Sequence, residues 1–193
     1  MKVICIGDSL TYGFGVMKRH TWMEILKEKL KIDFVNRGIN GDTTAGMLAR
    51  SYEDIILNYP DKVIIMGGTN DFISGYNLKN VQENINLLAK EAKEHGIEPI
   101  IGIQIPTEPN MARAKWTKEV DYENVNSKIM NYREKIIEDC KLNGYKYIDF
   151  YKAFVEKIIE NKDYRYYTDG IHPNYEGHKI MAVSAEKLFT INY

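Results

Sequence analysis

The stretch KVICIGDSLTYGFG, residues 2–15, opens the chain with a short apolar run that passes directly into a glycine-rich loop. A continuous apolar run of this length is typical of a strand buried on both faces of a sheet. Four further runs follow, separated by helix-like stretches: DFVNRG (33–38), KVIIMGG (62–68), EPIIGIQI (98–105) and YKYIDF (145–150). The sequence therefore predicts strands that alternate with helices around a parallel sheet.

The intervening stretches carry signals for helices. Thr21 and Glu24 form a capping box that opens a helix to about Leu30. Further helical patterns cover residues 43–59, 78–96, 121–144, 152–161 and about 174–189. With right-handed crossovers, this order predicts an α/β fold, a flavodoxin-like three-layer α/β/α sandwich with a five-stranded parallel sheet in the order 2-1-3-4-5. Since no repeat or linker divides the chain, we expect residues 1–193 to form one domain.

The composition narrows the class of protein. The 193 residues include 26 Lys and Arg against 27 Asp and Glu, so nothing indicates a nucleic acid or an anionic membrane as a partner. The N-terminal residues enter a strand without the charged and apolar regions of a signal peptide, and we expect a cytoplasmic protein. Cys5 and Cys140 are predicted to be buried free thiols. The oligomeric state is not predicted.

Ligands of open α/β sheets bind beyond the carboxyl ends of the strands, where GDSLTYGFG (7–15) lies. Gly13 follows Gly7 by six residues without the lysine of a P-loop, and the glycines do not fit a dinucleotide fingerprint. Thr11 replaces the second glycine of a nucleophile elbow. From this loop alone, Ser9 is interpreted as a helix cap, with a nucleophile as the alternative.

A nucleophilic serine needs a base, and the four histidines differ as candidates. His172 lies in the turn-rich segment TDGIHPN, three residues after Asp169, and Pro173 disfavours helical geometry there. Asp169 can then hold one ring nitrogen while the other faces a serine hydroxyl. A solvated turn histidine explains the same pattern equally well. Structural roles account for the other three: His20, His95 and His178.

Two further loops supply candidate donors to an oxyanion. Asn70, in GGTND after the third run, carries an amide that can donate, although a turn asparagine is the plainer interpretation. Gly41, in INGDTT after the second run, offers an unobstructed backbone N–H and also suits a turn. In the strand order 2-1-3, Ser9, Gly41 and Asn70 converge on one space.

Four short motifs together resemble the sequence blocks of the SGNH, or GDSL, hydrolases. They occur in the family's order and span residues 7–172: GDSL (7–10), NGDT (40–43), GTND (68–71) and DGIH (169–172). The resemblance implies an esterase in which Ser9 is the nucleophile, His172 the general base and Asp169 the acid that orients it. It also implies an oxyanion hole built from Ser9, Gly41 and Asn70, and no metal or cofactor.

The resemblance implies a small-molecule ester substrate but does not name it. We expect esters of small acyl groups, such as acetyl esters of carbohydrates, cleaved through an acyl-enzyme on Ser9. A thioesterase or lysophospholipase of the same family is the alternative, and a non-catalytic flavodoxin-like binding module is the rival from another class. No membrane partner is expected.

Substrate contacts are expected from side chains near the motifs. Asp8, Tyr12, Phe14 and Tyr167 are the candidate substrate-binding residues, and Asp8 is also expected to brace the turn before Ser9. Aromatic rings in such loops line acyl pockets or stack on sugars, although packing explains each one singly. Specificity is also expected from residues 71–77 and 107–116, including Arg113 and Lys115, and from Tyr164 and Tyr166.

Overall fold

The strands of the computed structural model form one parallel sheet in the order β2-β1-β3-β4-β5, as predicted. The structure describes residues 1–161 and 166–190. The strands are β1 (Lys2–Gly7), β2 (Asp33–Gly38), β3 (Lys62–Met66), β4 (Glu98–Ile103) and β5 (Lys146–Asp149). β1 covers the apolar run that opens the chain, and β2 matches its predicted bounds. β3, β4 and β5 end one or two residues earlier than predicted, where the chain turns away from the ladder, and β5 also begins one residue later.

Helices connect the strands. They are α1 (Ser9–Tyr12), α2 (Trp22–Leu30), α3 (Thr44–Asp54), α4 (Thr69–Ile73), α5 (Leu78–Glu94), α6 (Pro109–Lys115), α7 (Tyr122–Asn143), α8 (Phe150–Asn161) and α9 (Tyr175–Thr190). The helix predicted over 43–59 ends at Asp54, and a 3-10 turn, Ile56–Asn58, follows. The range 107–116, from which specificity is expected, contains α6, which Pro109 opens at its first turn.

The sheet separates two hydrophobic cores, which confirms the three-layer sandwich. Ile4 and Ile6 of β1 face α3, α5 and α7, while Val3 and Cys5 face α2, α8 and α9. Alternate residues of one strand therefore serve both cores, which explains why each strand reads as a continuous apolar run. Cys5 and Cys140 are buried free thiols, as predicted.

The register places the carboxyl ends of β1, β2 and β3 side by side. Gly7 pairs with Gly38 of β2 on one side and with Met66 of β3 on the other. The loops that follow β1, β2 and β3 therefore start side by side, which is the arrangement that ligand sites of open α/β sheets use. Within the described residues, no helix is both long and apolar enough to span a membrane.

Candidate active site

Ser9 begins α1 immediately beyond β1. The residue that caps this helix is Asp8, whose carboxylate accepts the Leu10 N–H at 2.9 Å, so the interpretation of Ser9 as the cap is corrected. Gly7 has no room for a side chain, because a Cβ there would lie 2.2 Å from the Thr11 hydroxyl oxygen. The tight turn leaves Ser9 as the first helical residue, with a backbone N–H that has no acceptor within the helix.

Residues 166–174, which we call the histidine loop, lead into α9 and place His172 beside Ser9. His172 Nε2 lies 2.9 Å from Ser9 Oγ, and His172 Nδ1 lies 2.7 Å from Asp169 Oδ2. Asp169 also accepts the backbone N–H groups of His172 and Ile171 through Oδ1. Aspartate, imidazole and hydroxyl thus form one hydrogen-bonded chain, and the three side chains are almost fully buried.

Electrostatics keep Asp169 in its ionised form. Burial alone would raise the pKa of this carboxyl, but hydrogen bonds from the His172 ring and from the His172 and Ile171 backbone outweigh it and lower the pKa. An ionised carboxylate only accepts hydrogen bonds, so the Nδ1 atom of His172 carries the proton. The Nε2 lone pair is consequently directed at the serine hydroxyl, which is the geometry required of a general base.

Packing against α6 holds the histidine loop. Gly170 has a φ of +93°, and a Cβ there would lie 2.3 Å from the Ala112 nitrogen and 2.7 Å from the Glu108 carbonyl oxygen. The Glu108 N–H donates to the Gly170 carbonyl at 2.7 Å. The Lys115 ammonium donates to the Thr168 carbonyl at 3.0 Å. Residues 107–116, from which specificity is expected, therefore also support the histidine loop.

Gly41 lies in the loop after β2, and Asn70 lies in α4, which follows β3. The Asn70 amide donates through Nδ2 to the Asp42 carbonyl at 2.9 Å, which leaves a second N–H of the same amide for another acceptor. Gly41 is exposed, has a φ of +76°, and has open space around the position of a Cβ. The backbone N–H groups of Ser9 and Gly41 and the second N–H of the Asn70 amide are therefore candidate donors to an oxyanion.

Asp71 fixes the start of α3, a structural role that the sequence did not predict, although residue 71 lies in the range 71–77 expected to carry specificity. Its buried carboxylate accepts both the backbone N–H and the hydroxyl of Thr44. These bonds join α4, which carries Asn70, to the start of α3, which follows the loop of Gly41. In the sequence, Asp71 stands out only as an acid directly after Asn70, because its bonding partner, Thr44, lies 27 residues earlier in the chain.

Two aromatic rings lie against the His172 imidazole. The Phe14 ring centroid is 4.5 Å from that of His172, the Trp116 centroid is 5.3 Å away, and the two aromatic rings meet edge to face at 6.2 Å. Trp116 is 52 % exposed, so one surface of the ring faces solvent beside the imidazole. Phe14 was an individual candidate, whereas Trp116 was covered only by the candidate range 107–116.

The remaining candidates for substrate binding occupy different environments. Tyr12 is half exposed on α1. Asp8 has no exposed surface, and burial raises its pKa to about 7, so its carboxyl is enclosed rather than presented to a substrate. The Tyr167 ring is likewise enclosed, and its hydroxyl donates to the Pro106 carbonyl at 2.6 Å. Asp8 and Tyr167 therefore have buried structural contacts, and substrate binding by either side chain stays a prediction.

Arg113, Tyr164 and Tyr166 are the remaining residues from which specificity is expected. The Arg113 guanidinium makes a bidentate ion pair with Glu123. Tyr166 packs edge to face on Phe154, and Tyr164 lies outside the described residues. Among the residues that the structure describes, no group of three or more His, Cys, Asp or Glu side chains could hold a metal ion.

Comparisons with known proteins agree with this arrangement. The family model of the GDSL-like lipase/acylhydrolase family matches residues 5–180. An arylesterase of Vibrio mimicus is 25 % identical over 187 residues, which cover 94 % of this chain and 84 % of the relative. An acetylxylan esterase of Geobacillus stearothermophilus is 26 % identical and covers 94 % and 90 % of the two chains. The crystal structure of a lipolytic protein of the G-D-S-L family from Veillonella parvula superposes with a TM-score of 0.85 at 25 % identity, covering 99 % of both chains.

Proposed function

The chain belongs to the GDSL-like lipase/acylhydrolase family, and we propose that it hydrolyses esters of small acyl groups through an acyl-enzyme on Ser9. The observation that carries this proposal is the hydrogen-bonded chain from Asp169 through His172 to the Ser9 hydroxyl. A hydroxyl paired with an oriented neutral imidazole is an activated nucleophile.

The reaction uses His172 twice. Ser9 Oγ attacks the ester carbonyl carbon while its proton passes to His172 Nε2, and the carbonyl oxygen takes up the negative charge. The tetrahedral intermediate then collapses, and His172 returns the proton to the departing alcohol oxygen. Water attacks the acyl-enzyme in the same way, and the carboxylic acid leaves as Ser9 regains its proton.

Three donors support the negative charge on the carbonyl oxygen. The backbone N–H groups of Ser9 and Gly41 and the free N–H of the Asn70 amide come from loops after adjacent strands. Donors held in position before the reaction need no reorganisation as the charge develops. Removal of one such donor typically lowers kcat by roughly 100- to 1,000-fold.

The aromatic rings support a ring-bearing alcohol on the leaving side of the substrate. Because His172 protonates the leaving oxygen, groups packed on its imidazole lie beside the alcohol rather than the acyl group. Trp116 and Phe14 occupy that position, and aromatic surfaces stack on sugar and aryl rings. An acetyl ester of a carbohydrate fits this surface, and a relative of this chain bears the name acetylxylan esterase.

A fluorophosphonate probe followed by mass measurement tests the proposal. The wild-type chain is expected to gain one covalent adduct on Ser9 and to hydrolyse short p-nitrophenyl esters, whereas Ser9→Ala should do neither. Ser51→Ala is the matched control, since the Ser51 hydroxyl is bonded to the Leu48 carbonyl and to Glu91 rather than to a histidine. Absence of both the adduct and hydrolysis in the wild-type chain would instead favour a non-catalytic binding module. Hydrolysis that is unchanged in Ser9→Ala would overturn the acyl-enzyme on Ser9.

A panel of substrates then tests the substrate class. It compares p-nitrophenyl esters of increasing chain length with acetylated xylo-oligosaccharides and acyl-CoA thioesters. The proposal expects the highest kcat/KM on acetyl esters and a decline as the acyl chain lengthens. A preference for long acyl chains or for thioesters would overturn the small-acyl assignment and favour the thioesterase or lysophospholipase alternative.

A further inference from the structure

The Arg50 side chain on α3 connects the loops that carry the candidate catalytic groups. Its guanidinium donates to Asp42 Oδ2 at 2.8 Å, to Asp54 Oδ2 at 2.5 Å, to the Arg37 carbonyl at 2.9 Å and to the Gly7 carbonyl at 3.0 Å. The side chain is only 16 % exposed. The guanidinium therefore has acceptors on β1, on β2 with the turn that follows it, and on α3.

The two carbonyl groups belong to the strand ends next to the site. Gly7 ends β1, two residues before Ser9, and its carbonyl also accepts the Ile39 N–H at 3.0 Å. Arg37 is the residue before Gly38, where β2 gives way to the loop of Gly41. Arg50 thus fixes the nucleophile strand relative to the strand that leads into the oxyanion loop.

Asp42 transmits this anchoring to the oxyanion donors. Its carboxylate is held by Arg50, and its backbone N–H donates to the Ile39 carbonyl at 3.2 Å, closing the turn that contains Gly41. Its own carbonyl accepts the Asn70 amide. A shift of Asp42 would therefore change both the direction of the Gly41 N–H and the orientation of the Asn70 side chain.

We propose that Arg50 is a positioning residue of the oxyanion hole, which acts through Asp42 on Gly41 and Asn70. This inference rests on the proposed esterase function for its kinetic part. Arg50 does not itself touch the substrate in this scheme. Its guanidinium is suited to the task because a planar fork of donors satisfies two carbonyls and two carboxylates together, which a lysine ammonium does less completely.

Kinetics with p-nitrophenyl acetate test the coupling. Arg50→Met should lower kcat by roughly 10- to 100-fold, the scale expected of a small displacement of catalytic groups, with little change in KM. Arg50→Lys should retain part of the activity. Combined with Asn70→Ala, Arg50→Met should lower kcat by less than it does alone, because the part of its effect that acts through Asn70 is already lost. Arg133→Met, which removes a bidentate pair with Asp149 elsewhere on the sheet, is the matched control and should keep kcat.

Hydrogen exchange tests the positioning without requiring turnover. Peptides that cover residues 39–44 should take up deuterium faster in Arg50→Met than in the wild type, and at the wild-type rate in Arg133→Met. Unchanged exchange in Arg50→Met, or full multiplication of its kinetic effect with that of Asn70→Ala, would overturn the proposal and leave Arg50 as a stabilising ion pair. Failure of the esterase function itself is seen separately, as an inert wild-type chain.

Discussion

His172 Nε2 lies 2.9 Å from Ser9 Oγ although 163 residues separate them in the chain. Ser9 follows β1 near the middle of the sheet, while the chain reaches His172 from β5 at the edge. Residues 166–174, which lead into α9, place His172 beside Ser9, and their contacts with α6 hold them there. Activity should depend on the orientation of the imidazole as well as on its presence.

Asp169→Asn tests this dependence on orientation. The amide cannot reproduce an ionised acceptor, and its NH2 group favours the histidine tautomer with the proton on Nε2, which removes the base from Ser9. By analogy with serine hydrolase triads, kcat should fall by roughly 10,000-fold. Steady-state kinetics measure the loss, and a melting curve checks that the variant is folded. A loss below tenfold would show that Asp169 does not control the tautomer.

Trp116→Ala tests the leaving-group surface beside His172. Because the ring is half exposed, its removal should change stability by only about 0.5 kcal/mol. We expect kcat/KM to fall for acetyl esters of aryl or sugar alcohols and to change little for ethyl acetate. Tyr52→Ala is the matched control, since Tyr52 is 55 % exposed near the far end of α3. An equal loss for ring-bearing and aliphatic alcohols would contradict the assignment.

The strand order could be predicted from the alternation of apolar runs and helical stretches, and the grouping of Ser9, Asp169 and His172 from short motifs that resemble those of a known family. Apolar runs indicate strands wherever both faces of the sheet are buried under helices. The predicted strand order 2-1-3 then indicates that the segments after β1, β2 and β3 lie next to one another. The role of Arg50 was not predicted, because four separate acceptors, including two backbone carbonyls, define it. The burial of Asp8 was not predicted either, because it depends on neighbours that the local sequence does not reveal.

Gly170→Ala tests the packing of α6 on the histidine loop. A methyl group there would collide with the Ala112 backbone nitrogen, and the φ of +93° also disfavours alanine. The loop must then shift and carry His172 with it, so both stability and kcat should fall. Gly96→Ala is the control, because Gly96 also has a positive φ, at +75°, but open space around its Cβ position. The control should lose about 1 kcal/mol of stability and keep its kcat. Equal activity in both variants would contradict the positioning role of this contact.

His178→Gln should reduce the acid sensitivity of the fold. Burial lowers the pKa of His178 from 6.5 to about 4, and its Nδ1 accepts the Trp22 N–H. Between these values the unfolded chain binds a proton that the folded chain does not, so its contribution to stability is lost as the pH falls from 6.5 towards 4. Urea unfolding at pH 4.5, 5.5 and 7.5 should give a shallower pH dependence for the variant. Parallel dependences would show that His178 is not protonated on unfolding.

Asp8→Asn should have the opposite pH signature. Burial, aided by the negative charges of Asp71 and Asp42 and opposed by the Leu10 N–H and His172, raises the pKa of Asp8 from 3.8 to about 7. The folded chain therefore holds a proton that the unfolded chain releases, and stability is lost as the pH rises from about 4 through 7. The asparagine keeps the acceptor for the Leu10 N–H and cannot ionise. The unfolding free energy of Asp8→Asn relative to the wild type should increase between pH 5 and pH 8 by up to a few kcal/mol. A difference that stays constant over that range would mean that the pKa of Asp8 is not raised in the folded chain.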